Sequence, residues 1–302
     1  MAAAARHGVM AVHGGMAMAL GLALVFMLGG ALYDHPEPAP DRLSRYYGAP
    51  TRFGIAMTLI WAVIGMGVGV WVAALMYWPE ATPPWGWTSF GRLRPVHTSG
   101  VIFGFGGNAL IATSFYVVQR TSRARLADAL SPWVVLIGYN LFCLWAVSGY
   151  LMGATQSKEY AEATWYADIW LVVIWLIYFA LYLRTLARRA EPHIYVANWY
   201  YLAFILVVAV LHIVNNLALP VRWTSAESFP VWAGVFDGLL IFEGSFLAIR
   251  PVNSLSHYTD WTVGHVHSGT LGWVAMIVFG AIGFPVPKHP ERAEMAKPQP
   301  AA

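Results

Sequence analysis

The sequence predicts an all-α, polytopic transmembrane helix bundle, with about seven spanning helices and one further segment that is re-entrant. Three observations carry this. Of the 302 residues, 58% are hydrophobic and 11% charged, where a soluble domain has about 25% charged. The apolar residues form long uninterrupted runs, not the period-two alternation of a membrane strand. Trp and Tyr number 15 each, and many stand at the ends of those runs, as interfacial aromatics do. Lipid offers the backbone no hydrogen-bond partner, so such runs fold as helices.

Spans are expected at 9–33, 53–78, 97–118, 131–153, 168–187, 195–220 and 261–285, each long enough for a hydrocarbon core of ~30 Å. The first has a poor basic flank, a long apolar run and no A-x-A site, so residues 1–40 read as an N-terminal anchor helix and not as a signal peptide. Residues 41–285 form the main membrane domain. The stretch 286–302, rich in Pro, Ala and Lys, reads as a disordered cytoplasmic tail.

Orientation follows from the short basic loops. Arg42, Arg45 and Arg52 precede the second span, Arg120, Arg123 and Arg125 follow the third, and Arg184, Arg188 and Arg189 follow the fifth. All three clusters are expected on the cytoplasmic side. Loops 79–96 and 154–167 then lie outside, and the second is acidic, with Glu159, Glu162 and, just after it, Asp168. The stretch 229–250 carries Asp237 and Glu243 in its middle. Each would cost ~2.5–3.5 kcal/mol at the bilayer centre, so this stretch is read as returning to the outer side without crossing.

Some functions are excluded early. Net charge is +3, and no basic patch with interleaved aromatics suits nucleic acid. The lone Cys143 rules out an internal disulfide, a multi-thiolate zinc site and a CxxCH heme attachment.

The chemistry lies in the histidines. His97 opens a helix in the run Arg94-Pro95-Val96-His97-Thr98-Ser99-Gly100, and His265 and His267 sit in Gly264-His265-Val266-His267-Ser268-Gly269. Neutral imidazole is a standard axial ligand of heme iron. Residues two apart on a helix point ~200° from each other, so His265 and His267 face opposite sides and one helix can ligate two hemes. His97 and His267 are the expected pair on one iron. That pairing needs both at similar depth, which is why the last span must also start outside. A single histidine near a helix end is equally an interfacial residue with a hydrogen bond, and only the set points to heme. His13, His193 and His289 are read as ordinary, while His212 and His257 stay open. Arg92 and Arg94 are placed to pair with heme propionates through bidentate hydrogen bonds, or to be plain interfacial arginines. Glu159 and Glu162 are placed to hold a cation or to solvate a loop. Gly100, Gly104, Gly106, Gly107, Gly269 and Gly272 leave clearance for a macrocycle or for close helix packing.

Four runs carry a resemblance: RLRPVHTSGVIFGFGGNALIATSFYVVQRT (92–121), GATQSKEYAEATWYADIW (153–170), EPHIYVANWYYLAFILVVAVLHIVNNLALPV (191–221) and VNSLSHYTDWTVGHVHSGTLGWV (252–274). They closely resemble catalytic subunit I of the cbb3-type cytochrome c oxidases, in the heme-copper oxidase superfamily. The resemblance covers most of 50–221 and 250–285, and the segment before about residue 40 stands outside it. It implies that His97 and His267 are the axial ligands of a low-spin heme b and that His265 is the proximal ligand of a second, high-spin heme. It also implies that Glu159 and Glu162 lie near the propionates and a calcium ion. The family reduces oxygen with electrons from cytochrome c, translocates protons, and works with membrane-anchored c-type cytochrome subunits in the bacterial inner membrane.

One departure is large. In the family, helices between the runs ending near Val221 and beginning near Glu243 carry three copper histidines, two of them as a His-His pair and one after Trp-Trp-Tyr-Gly. They also carry a tyrosine crosslinked to a copper ligand. This sequence has no His-His pair and no such run. Residues 222–250 read as a deletion junction, and the chain stops where the family continues through further spans. The expected function is heme binding with oxygen reduction weak or absent. The alternatives are a copper-free heme b electron-transfer or gas-sensing protein, and a nonfunctional remnant; a nitric oxide reductase large subunit shares the three heme ligands.

Overall fold

The computed structural model describes residues 8–33, 46–156, 161–230 and the single positions 255 and 267. Six long helices follow in order among them: α1 (Gly8–Tyr33), α2 (Ala49–Tyr77), α3 (Phe90–Ser122), α4 (Ser131–Leu151), α5 (Trp165–Ala187) and α6 (Val196–Asn216). Helices α2 to α5 are each long and apolar enough to cross a membrane. Short strands β1 (Ala218–Pro220) and β2 (Ser228–Pro230) close the described part as an antiparallel hairpin, with Leu219 opposite Phe229. The expected spans 261–285 and the re-entrant stretch beyond residue 230 lie outside the described residues, His267 excepted.

Helix limits differ from the hydropathy reading in two places. The third span was expected from residue 97, but α3 begins at Phe90. Arg92 and Arg94 depress the hydropathy of its first turns without breaking the helix. The sixth was expected to reach 220, but α6 stops at Asn216, because Pro220 lacks the N–H a helix needs there. Prolines elsewhere act as starts, with Pro50 in the first turn of α2 and Pro132 in that of α4. Just past the end of α4 stands Gly153, whose φ of 83° suits glycine. A Cβ there would also stand 2.9 Å from Arg92 Nη2.

The core lies between α3, α4 and α5. Phe105, Phe115, Tyr139, Phe142, Leu171, Tyr178 and Tyr182 are all buried there. Helix α2 packs on α3 through small residues. A Cβ on Gly54 would stand 2.7 Å from Ala112 Cβ, and one on Gly65 would stand 2.9 Å from the Gly100 carbonyl carbon. Such contacts let backbones approach closely in lipid, where no hydrophobic force drives helices together. The outward side of α2 stays apolar and exposed, at Leu59, Ile60, Val63 and Val70.

Polar bonds fix the pairing. Asn140 Oδ1 accepts from Trp61 Nε1 at 2.8 Å, and Asn140 Nδ2 donates to Asn108 Oδ1 at 2.8 Å and to Leu136 O at 2.8 Å. This joins α2, α3 and α4. Replacing Asn140 by Leu strands the Trp61 Nε1 donor and the Asn108 Oδ1 acceptor, at a cost of about 1–3 kcal/mol. A thermal melt in detergent should show the lowered midpoint. Helix α1 docks through His13, which is fully buried and hydrogen-bonded at both ring nitrogens, to Tyr166 Oη at 2.6 Å and Ser148 Oγ at 3.0 Å. Trp145 Nε1 donates to its carbonyl at 2.9 Å.

The basic loops gather at one end. Arg184 pairs with Asp128 at 2.9 Å, Arg123 with Glu191 at 2.5 Å, and Ala190 N donates to Ser122 O. Burial works against the Asp128 carboxylate, but donors from the Ser131 amide and hydroxyl, the Arg184 charge and the Leu130 amide outweigh it and hold its pKa below the usual range. The folded-state value is depressed, so the contribution is complete above the ordinary carboxylate pKa of about 4 and is lost as pH falls through the folded value. Asp128→Asn removes the Arg184 ion pair and should lower stability at neutral pH by less than about 1 kcal/mol. The gap to wild type should close in melts run at progressively acid pH.

Candidate functional site

At the opposite end, His97 lies two turns into α3 with its ring against α2. Its Nδ1 is 2.8 Å from Gly65 O. A carbonyl only accepts, so Nδ1 carries the proton and Nε2 keeps its lone pair. This is the orientation that second-shell bonding imposes on metal-binding imidazoles. Gly69, one turn on, makes room: a Cβ there would stand 2.4 Å from His97 Cε1 and 2.5 Å from Nδ1. The ring of His267 lies 6.2 Å from that of His97, centre to centre, with the planes 27° apart. Two metal–imidazole bonds of about 2 Å each, end to end with the half-widths of two rings, span about 6 Å. That spacing is compatible with one metal between the two imidazoles, with His97 Nε2 keeping the lone pair a metal would take.

Helix α3 departs from α-geometry just after His97, with a π-helical stretch over Gly100–Gly107. Such widened turns concentrate at functional sites. Gly100 and Gly104 in it let the backbone sit against Gly65 and Trp61 of α2, and Gly107 makes room for Tyr139 of α4.

The other expected residues divide. Arg92 Nη1 donates to Leu151 O at 2.9 Å, so its guanidinium caps the end of α4. Arg94 pairs with buried Glu162 at 3.4 Å. Glu159, His265, His257 and His289 lie outside the described residues. His193 is exposed, as an ordinary loop histidine would be. His212 is buried and faces Asp168, its Nε2 lying 3.3 Å from the Asp168 carbonyl and 3.5 Å from Oδ1. Gln156 Nε2 donates to Asp168 Oδ2 at 3.1 Å. Trp165 Nε1 donates to Ser225 O, which seats the hairpin over this end.

Sequence reading named His97 and His267 but missed Gly65 and Gly69, the two residues that position the first ring. The signal was present as Gly65-Met66-Gly67-Val68-Gly69, a Gly-x-x-x-Gly pair on one helix face. It counted Asp168 with the acidic outer loop and gave it no partner, whereas it is buried with His212.

Residues 49–242 and 229–298 match the family described as cytochrome c and quinol oxidase polypeptide I. The two matched pieces overlap at 229–242. Among curated relatives, the cytochrome c oxidase subunit 1 homolog of Azorhizobium caulinodans is 37% identical, over 94% of this chain and 74% of its own length. The bacteroid homolog of Bradyrhizobium diazoefficiens is 36% identical over 95% of this chain and 74% of its own. The cbb3-type cytochrome c oxidase subunit CcoN1 of Stutzerimonas stutzeri is 34% identical over 82% of this chain and 77% of its own. The Azorhizobium alignment runs over 408 positions against a chain of 302 residues, so at least 106 of those positions face no residue here. With several membrane-length helices and matches of this extent, the chain is a multi-pass membrane protein that belongs to the cytochrome c oxidase subunit I family, cbb3-type subunits included.

Proposed function

We propose that this chain is a heme b electron-transfer subunit of the cbb3-type kind that does not itself complete oxygen reduction. Family membership implies heme and copper in general. The narrower reading assigns His97 and His267 as axial ligands of a low-spin heme b and His265 as ligand of a second heme on the other face of the same helix. The observation that carries it is the 6.2 Å spacing of the His97 and His267 rings, with Nδ1 of His97 engaged by Gly65. Bound heme supplies a one-electron couple. The protein residues do the rest: Gly65 holds the imidazole tautomer, Gly69 leaves its ring room, and half-buried Arg94 with buried Glu162 sets the charge on the His97 side. A calcium ion at Glu159 and Glu162 belongs to the same proposal, as do membrane-anchored c-type cytochrome partners and a bacterial inner-membrane location.

The loss of oxygen chemistry rests on the sequence between 221 and 250. No His-His pair and no Trp-Tyr-Gly-His run is present. The unpaired positions of the Azorhizobium relative and the overlap of the two family matches at 229–242 support a junction in that region. Cleaving the oxygen bond in this family takes a copper and a phenol beside the iron, and the chain lacks the imidazoles to hold that copper.

The test is the metal content of the purified chain together with oxygen uptake driven by a reduced c-type cytochrome. Heme without stoichiometric copper, and uptake near the protein-free rate, is expected. One copper per chain or rapid uptake would overturn the proposal.

A further inference from the structure

The basic end of the bundle holds a feature that the heme reading does not use. Gln119, buried near the end of α3, accepts the Tyr47 amide at 2.7 Å and donates to the Tyr47 carbonyl at 3.3 Å. This pins the linker that enters α2. Trp133 Nε1 donates to Tyr47 Oη at 2.7 Å. Two guanidinium groups then lie on the fixed aromatic rings. Arg120 stands 3.8 Å from the Tyr116 ring centre and 5.0 Å from that of Tyr46, and Arg125 stands 5.1 Å from that of Tyr47.

Neither arginine meets a carboxylate among the described residues. Among the described residues, Asp128 pairs with Arg184 and Glu191 with Arg123. Ring stacking uses the face of a guanidinium and leaves its N–H fork free. Arg120 and Arg125 are both exposed, as is Arg52 one turn into α2. From Arg52 an exposed apolar stripe runs along α2 through Ala56, Leu59, Ile60 and Val63, at helical spacing on one face. Guanidiniums stacked on rings, with no carboxylate partner among the described residues, and an exposed apolar stripe that starts at Arg52 match an amphipathic anion.

We propose that this end binds one anionic phospholipid, with its phosphate held by Arg120 and Arg125 and an acyl chain along the α2 stripe. Arginine forks suit phosphate oxygens, and basic clusters on this side of a membrane select acidic headgroups. The bare alternative is that these arginines only set orientation during insertion.

Native mass spectrometry of the full chain, released from nanodiscs of equal phosphatidylglycerol and phosphatidylcholine, separates the two. The wild type should retain phosphatidylglycerol in preference by about tenfold. Arg120→Gln with Arg125→Gln should abolish the preference. Arg123→Gln with Arg184→Gln, which removes equal charge at the same end, should keep it. No preference in the wild type, or equal loss in both double variants, would overturn the proposal. Displacement of the lipid by millimolar inorganic phosphate would overturn it too, since the site would then read free phosphate. The wild type also serves without any variant, because its preference should weaken as salt is raised; a preference indifferent to salt contradicts a phosphate–arginine contact.

Discussion

Replacing His97 by alanine will remove the low-spin heme from the purified chain while the helix bundle survives. Loss of a mere outer-shell partner lowers metal affinity by about 10–100-fold, so loss of a direct axial imidazole should cost at least that much. The ring occupies an interhelical space whose other wall is Gly65 and Gly69. Its removal strands one carbonyl, Gly65 O, near a helix that keeps its own hydrogen bonds. Far-UV circular dichroism should therefore be unchanged, and the reduced-minus-oxidised difference spectrum should lose its low-spin band. Added free imidazole should restore part of the signal by entering the vacated space. Alanine at His212 is the control: that ring faces Asp168, and its loss should leave the low-spin band in place.

The second large effect comes from two glycines that touch no metal. At Gly69 an added methyl would stand 2.4 Å from His97 Cε1, and its three nearest atoms all belong to that movable ring. Gly69→Ala should swing that imidazole away and lower heme per polypeptide several-fold, with the melting midpoint nearly held. At Gly65 the methyl would meet backbone, 2.9 Å from the Gly100 carbonyl carbon and 3.0 Å from Val101 N. Backbone cannot step aside as a ring can, so α2 and α3 must part. Overpacking of that kind costs about 1–3 kcal/mol, and the same shift moves Gly65 O away from His97 Nδ1. Gly65→Ala should lower both midpoint and heme. The contrast between the two is measured by heme content and a thermal melt on the same preparations.

Much of the bundle was legible because lipid leaves few choices. A run of some twenty apolar residues must be a helix, and the runs at 9–33, 53–78, 131–153 and 168–187 coincide with α1, α2, α4 and α5 to within a few residues at each end. Hydropathy failed where polar residues serve a helix. Arg92 reads as loop but lies in α3 and caps α4. The hairpin after α6 is three residues a strand, too short for alternation to register. The position of His97 was legible: the alternation of spans placed it at the end opposite the arginines, where the structure also has it. Its cradle was not, because glycine in α2 carries no chemistry until the ring of another helix lies on it. His13 read as an ordinary residue, and it is no ligand candidate, but both its nitrogens are occupied in riveting α1 to Tyr166 and Ser148. Position along a span says little about such a role. Asp168 and His212 are 44 residues apart in the chain, and only the packing of α5 on α6 brings them together.

The central claim is that two imidazoles, His97 and His267, share one iron between α2, α3 and the helix of His267. Low-temperature magnetic circular dichroism in the near infrared, on the oxidised wild-type chain, reads the axial pair of a low-spin ferric heme directly from its charge-transfer band. A bis-imidazole position for that band, lost in both His97→Ala and His267→Ala, is predicted. A band at an imidazole–thioether position, or a bis-imidazole band that survives either substitution, would contradict the account.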